Sequence, residues 1–598
     1  MHKFELWAPE ARKVEVQAGS RRWPLEKEER GWWSAEVEAA GPGSEYTFLV
    51  DGGEPTPDPR SAFQPRGIHG PSQIVDHSAY RWNDTHWQAP PLPSGVLYEM
   101  HVGTFTPQGT FLSAIERLDH LVELGVTHLE LMPVNEFSGS SGWGYDGVDL
   151  YAPHHAYGTP DDLKTLVDAC HARGLAVLLD VVYNHLGPAG NYLSRFGPYF
   201  TKAYETPWGE AVNLDHEGSV EVRRYLIDNA CMWLRDYHFD GLRLDAIHAF
   251  YDRSAVHFLE ELSAEVDKLS AHLGRHYVLI AESDLNDPKI VTPREAGGYG
   301  IDAQWSDDFH HALHSVLTGE TNGYYEDFGT LAQLAKALRN AYVYDGVYSQ
   351  HRKRVHGRPV IHLSGHHFLA YAQNHDQIGN RARGERLCQL VSEGRCRIAA
   401  ALVFTSAFIP MLFQGEEFGA SSPFQYFTHH DDAELAHNVS EGRKNEFRAF
   451  GWKPDEVPDP QSSETFERSN VRWDEVARQP HAGLLEWHRK LIALRRKHAV
   501  LTDGRMENVE VRFDEDARWL AVRRGSIEVV CNLAGETRAI EVGATAELEL
   551  GSENGVRVDG DKLKLPPDSV GIVVHRSAQA GRVPAGAWRS ASLSAERI

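Results

Sequence analysis

Ionisable side chains stand where apolar runs end, at four places in the chain. They are Asp180-Val-Val-Tyr-Asn-His185, then Gly241-Leu-Arg-Leu-Asp245 with His248 just beyond, Ala281-Glu282-Ser-Asp284, and Gln373-Asn-His375-Asp376-Gln377. Arg243 and Asp245 are two residues apart on an extended run that opens with a turn glycine, so both project to the same side. A charged pair in an apolar strand is costly unless it is paired or used. Asp245 therefore reads as a nucleophile and Arg243 as the cation that keeps it ionised. If the four strand ends meet at one mouth, Asp245, Glu282 and Asp376 converge there. Two carboxyl groups roughly 5–5.5 Å apart are the equipment for glycoside hydrolysis with retention: one attacks the anomeric carbon, the other protonates the leaving oxygen. Crowding of carboxylates raises the pKa of the least solvated one, which suits Glu282 as the acid.

Each of these residues has a plainer reading. Asp180 can be a buried carboxylate that pairs with Arg243. His185 and His375 can be loop residues or supporting donors. Asn184, His185 and the acidic mouth could bind a divalent cation, but no tight His/Asp ligand spacing supports it, and neither a metal nor a cofactor is expected.

The elements that would position these side chains follow from periodicity. Strands are predicted at residues 96–101, 127–132, 175–182, 241–245, 277–280, 301–305, 368–373 and 409–414. Helices are predicted between them, at 111–124, from Pro160 to before Gly174, and at 219–238. Thr159 can cap the second, and Leu163, Leu166, Val167 and Cys170 form its apolar stripe. The run at 175–182 is nearly continuous in apolar residues, as in a parallel strand covered on both faces. Eight such units over roughly 400 residues predict a (β/α)8 TIM barrel with long insertions. A doubly wound open sheet is the runner-up, but no Gly-rich phosphate loop follows the first strand. The long segments 184–219, 307–367 and 415–480 follow strands three, six and eight, the catalytic face of such a barrel.

Flanking the barrel, residues 1–89 read as short alternating strands of an N-terminal β-sandwich, and Pro-rich 89–94 as a stiff linker. The barrel is expected over 95–500, a C-terminal β domain over 501–576 and a disordered tail over 577–598. At 598 residues the chain is too long for one core, and a formal charge of −25 disfavours nucleic acid and anionic membrane as partners. A neutral substrate is the easiest fit, and 15 Trp and 22 Tyr offer flat faces on which sugar rings stack. Five scattered Cys argue against a disulfide framework and a zinc site. Residues 1–7 enter a strand pattern directly, with no signal-peptide core and no apolar run long enough to span a bilayer, so a cytoplasmic monomer or weak oligomer is expected.

The four strand-end motifs, in this order, resemble the four short conserved regions of the α-amylase family of glycoside hydrolases. The resemblance covers about residues 95–500. It implies that Asp245 is the nucleophile, Glu282 the general acid/base and Asp376 the transition-state stabiliser. It implies further that Arg243, His185 and His375 line the subsite of the attacked ring, and that Tyr145, in Gly142-Trp-Gly-Tyr-Asp146, stacks under it. His248, Gln377 and Arg381 are assigned to substrate as their neighbours.

Within that family, Tyr98-Glu-Met-His-Val-Gly-Thr-Phe105 is similar to both glycogen-branching and trehalose-releasing members. Asn374-His-Asp-Gln-Ile-Gly-Asn-Arg381, Trp305-Ser-Asp-Asp-Phe-His-His311, and the run from Phe424-Gln-Tyr-Phe427 through Gly442-Arg443 to Glu446-Phe447 resemble the trehalose-releasing hydrolases. The resemblance implies cleavage of the α-1,4 bond next to a terminal α,α-trehalose on a maltooligosaccharide, with branching transfer as the alternative. A catalytically dead glucan-binding scaffold is disfavoured by the presence of both Asp245 and Glu282. Such a substrate is uncharged and rich in hydroxyls, so recognition rests on hydrogen bonds and stacking. Asp307, Asp308, His310 and His311 are assigned to the leaving-group side, and Glu417 is a further candidate there.

Overall fold

The computed structural model describes residues 1–448 and 452–576 of the protein. The tail expected at 577–598 lies outside the described residues. Eight parallel strands close into a barrel: β1 Leu97–Met100, β2 His128–Leu131, β3 Ala176–Val181, β4 Gly241–Leu244, β5 Val278–Ala281, β6 Ala303–Trp305, β7 Phe368–Ala370 and β8 Ile409–Phe413. Neighbours in the barrel are neighbours in sequence, and β8 pairs with β1. Every residue of these strands is buried, which is why they read as near-continuous apolar runs.

Helix Pro160–His171 shows how the outer ring is specified. Thr159 and Asp162 form a reciprocal capping box, Pro160 occupies the first turn, and Leu163, Leu166, Val167 and Cys170 are all buried. The stretch 111–124 is not one helix: two short α-helical turns flank a 3₁₀ turn at Ile115–Arg117. Gly241 is not a turn glycine either but the first residue of β4. A Cβ there would meet the Val278 carbonyl oxygen at 2.3 Å, so close strand packing excludes any side chain.

Long segments follow β3, β6 and β8 as expected, and the structure adds one after β2, where Asn135–Glu136 pairs with Asp149–Pro153. The β3 segment carries an antiparallel hairpin, Phe200–Thr206 with Gly209–Val212. The segment after β6 opens directly as helix Asp307–Thr318, followed by helix Leu331–Asn340. Helix Ala433–Arg448 lies in the segment after β8.

The N-terminal strands form a three-stranded and a four-stranded antiparallel sheet, and the C-terminal ones a five-stranded and a three-stranded sheet. The Pro-rich linker is docked rather than free: Leu92 is buried against Leu97, Leu178 and Met411, and the Pro90 carbonyl meets His128 Nε2 at 3.1 Å. The five cysteines are free, and no helix among the described residues is long and apolar enough to cross a membrane.

Candidate active site

Register sets the heart of the site. Asp180 on β3 stands opposite Arg243 on β4, and Leu244 opposite Ala281 on β5. Arg243 is fully buried, its guanidinium 4.1 Å above the Trp305 ring. Its Nη1 donates to Asp180 Oδ2 at 2.6 Å and to Asp245 Oδ1 at 2.9 Å. Nη2 lies 2.8 Å from Glu282 Oε2, at ion-pair distance but off hydrogen-bond alignment. Beyond Asp245 the chain turns sharply, with Ala246 in the left-handed region at φ 40°, a strained conformation for a residue with a Cβ. That turn aims the Ala246 N–H at Glu282 Oε2, 2.9 Å away, while the Glu282 backbone N–H donates to Leu244 at 3.0 Å. The ends of β4 and β5 are thus tied together through both the carboxyl and the backbone of Glu282.

Asp376 comes from a short helix, His375–Gly379, whose N-terminus Asn374 caps by accepting the Gln377 N–H at 3.0 Å. The His375 ring stacks on Tyr145 with centroids 5.1 Å apart, and the Tyr145 hydroxyl donates to Asp180 at 2.6 Å. Tyr145, His185, Asp245, His248, Glu282, His375 and Asp376 line one open cavity of about 610 Å³. That size lies within the range of about 300–1,000 Å³ typical of ligand clefts.

The electrostatics differ from expectation. Burial and the neighbouring Glu282 push Asp245 well above the usual carboxylate range, although Arg243 pulls it down. Glu282 goes the other way: burial opposes its charge, but Arg243 and the Ala246 N–H together hold it below its ordinary value. Arg243 therefore does not outweigh burial and Glu282 at Asp245, nor does crowding raise Glu282. One guanidinium serves Asp180, Asp245 and Glu282, and Glu282 alone of the pair also receives a backbone N–H. Burial likewise raises Asp376, which His375 partly offsets.

Of the other expected contacts, His185 lies in the cavity with Nε2 3.0 Å from the Tyr145 carbonyl. Asp307 stands one layer back; Tyr371 donates to it at 2.5 Å, and burial and Glu282 push it up to about 7. Arg381 forms a two-pronged pair with Glu320 at 2.8 and 2.9 Å and lines an adjoining cavity of about 370 Å³. Gln377 is half-buried beside Asp376.

Four of the residues assigned to substrate do not line this cavity. Asp308 is buried and accepts from Asn286, Val343 and Tyr344 at 2.6–2.8 Å, so its carboxylate anchors the following loop instead of facing substrate. Both ring nitrogens of His310 are occupied, by the Ala372 carbonyl and the Tyr325 hydroxyl. His311 is packed among Tyr324, Tyr325 and Phe328. Glu417 has no exposed surface; it sits between Tyr98 and His120, away from the cavity. The helical stripe Phe309, Leu313, Val316 explains the first three: it turns this segment inward as a helix.

Sequence reading missed Trp208, at the tip of the β3 hairpin, 46% exposed and stacked flat on His185 at 4.5 Å. It also passed over Glu99, the β1 residue bonded to His375. Among the described residues, Glu136, His154 and His155 have ligand-type atoms within 4.8 Å of one another. Glu136 there accepts the His155 backbone N–H and ring nitrogen at 2.8 Å, which engages both its oxygens, and His154 Nδ1 lies 3.3 Å from Oε2.

A family model described as alpha amylase, catalytic domain, matches residues 75–205. One for carbohydrate-binding module 48 matches 2–62, and a domain of unknown function matches 504–572. A malto-oligosyltrehalose trehalohydrolase from Rhizobium sp. (strain M-11) is 49% identical over 580 residues, spanning 96% of this chain and 97% of its own. The chain belongs to the malto-oligosyltrehalose trehalohydrolase family. The trehalohydrolase of Saccharolobus solfataricus is 42% identical over 87% of this chain and 89% of its own. A 1,4-alpha-glucan branching enzyme from Pseudoalteromonas atlantica is only 30% identical and covers 52% of this trehalohydrolase-family chain and 49% of its own. In three dimensions the chain is similar to a putative alpha amylase from Salmonella typhimurium, with TM-score 0.88 and 38% identity over 96% and 97% of the two chains. A pullulanase from Paenibacillus barengoltzii, at TM-score 0.70 and 21% identity over 96% and 94%, shares the fold.

Proposed function

We propose that this glycoside hydrolase cleaves the α-1,4-glucosidic bond next to the terminal α,α-trehalose of maltooligosyltrehalose, releasing trehalose and a maltooligosaccharide. The observation that carries the reading is the convergence of Asp245, Glu282 and Asp376 on one cavity, in a chain that matches trehalohydrolases over nearly its whole length.

In this reading Asp245 attacks the anomeric carbon of the glucose unit stacked on Tyr145, and an ester bond to its carboxylate forms. Glu282 gives its proton to the glycosidic oxygen as that bond breaks, and trehalose leaves. Glu282 then takes a proton from water, whose oxygen attacks the same carbon and frees Asp245. Asp376 stabilises the positive charge that grows on the ring, and Arg243 holds the Asp245 carboxylate in place. In the free site burial raises Asp245 and Arg243 lowers Glu282, whereas the reactive complex needs the proton on Glu282. The glycosidic oxygen as acceptor and the growing oxocarbenium charge both favour that arrangement. His185 and His248 bind sugar hydroxyls. No step requires a metal or cofactor.

We also infer that residues 1–89, 95–500 and 501–576 are separate domains, and that the substrate is a neutral glucan. The reading is tested by incubating the protein with maltooligosyltrehalose and with plain maltooligosaccharide. Free trehalose from the first and little action on the second is expected; new α-1,6 branches would overturn it.

A further inference from the structure

Beneath Asp376 lies a contact that the mechanism above does not use. Glu99, at the C-terminal half of β1, spends both carboxylate oxygens on one residue. Oε2 accepts the His375 backbone N–H at 3.1 Å, and Oε1 is hydrogen-bonded to His375 Nδ1. Both side chains are 1% exposed. The opposite ring nitrogen, Nε2, lies 3.5 Å from Asp376 Oδ1. Tyr145 covers a ring face, and Trp143 and Trp305 meet the ring edge-on at centroid distances of 5.4 and 6.0 Å, so the imidazole has no room to turn.

An imidazole with a carboxylate at each nitrogen has one fully satisfied state. Neutral, it would present a lone pair to one of the two anions; protonated, it donates to both. We infer that Glu99 is a positioning residue for the hydrolysis, fixing His375 as an imidazolium that holds Asp376 ionised and faces the attacked ring. The inference rests on the reading that this site hydrolyses maltooligosyltrehalose.

The surrounding groups agree. Glu130, opposite Glu99 in register on β2, is buried with neither oxygen hydrogen-bonded, and burial pushes its carboxyl well above the usual carboxylate range. His101, following β1, is pushed down to about 3 by burial and carries no charge at neutral pH. Asp180 and Glu282 face the ring from β3 and β5, and Arg243 opposes its charge from β4. Burial works against protonation of His375, but Asp376 and the bonded Glu99 raise it to about 9. Of these anions, Glu99 is the one hydrogen-bonded to the ring.

The test is Glu99→Gln, which keeps the shape and an acceptor oxygen but removes the charge. On maltooligosyltrehalose its kcat is expected to fall by about 10²-fold with KM little changed, as when a carboxylate that orients a histidine is neutralised. The His375 imidazole, followed by NMR titration, is expected to lose its proton at least about one pH unit lower than in the wild type. A His375 titration unchanged from the wild type, at any kcat, would overturn the inference. If the Gln variant does not fold, Glu99→Asp decides: it retains the charge at shorter reach, so lowered kcat with an unshifted His375 titration is expected, and a shifted titration overturns the inference. Should the wild type release no trehalose, the functional reading fails before Glu99 is tested.

Discussion

Arg243 bridges Asp245 and Glu282, with Nη1 2.9 Å from the first and Nη2 2.8 Å from the second. The two candidate catalytic carboxyls therefore share one buried cation, with Asp180 as a third claimant at 2.6 Å. A single ammonium cannot span these directions as a planar fork does. Arg243→Lys is expected to lower kcat/KM by at least about 10²-fold. Arg243→Met, which leaves the buried carboxylates without their cation, is expected to cost about 3–5 kcal/mol of stability by denaturant melts.

Asp307 supplies a pH test of the electrostatics behind the site. Its folded pKa of about 7 stands above the ordinary 3.8, so the folded protein keeps a proton that the unfolded chain releases. Its contribution to stability is therefore greatest below 3.8 and is lost as pH rises towards about 7. Asp307→Asn keeps an acceptor for the Tyr371 hydroxyl but cannot titrate. Thermal melts across this window should show a smaller fall for the variant and a higher melting temperature at pH 8; identical slopes would contradict the assignment.

Trp208 and Glu417 make a contrasting pair. Trp208 is half exposed over His185 at the cavity, whereas Glu417 is wholly buried between Tyr98 and His120. Trp208→Ala is expected to raise KM several-fold with an unchanged melt. Glu417→Ala is expected to lower stability by about 1–3 kcal/mol, since it orphans two buried donors, while the folded enzyme keeps its KM. A KM effect from Glu417 would restore the sequence-based assignment.

The barrel was legible because burial on both faces of a parallel strand writes itself as an apolar run. The strand-end carboxylates stood out against those runs. Asp245, Glu282 and Asp376 needed no knowledge of loops. His310 and Glu417 did: their partners are Tyr325 and Ala372 in one case and His120, 297 residues away, in the other. No local pattern reports which way a side chain beyond a strand end turns. The Asp307–His311 run reads as a charged loop until its apolar positions are taken at helical spacing. Trp208 sits on a hairpin whose placement over His185 depends on the fold of the whole β3 segment. The low position of Glu282 beside Asp245 comes from Arg243 together with the Ala246 N–H, and sequence cannot place that N–H.

The most direct test is proton NMR of the wild-type enzyme acting on maltooligosyltrehalose, recorded before mutarotation. The account predicts the anomeric signal of free trehalose together with a maltooligosaccharide that appears first as its α-anomer, with both signals absent for Asp245→Ala. A β-anomer appearing first, or turnover by the Ala variant, would contradict Asp245 as the nucleophile.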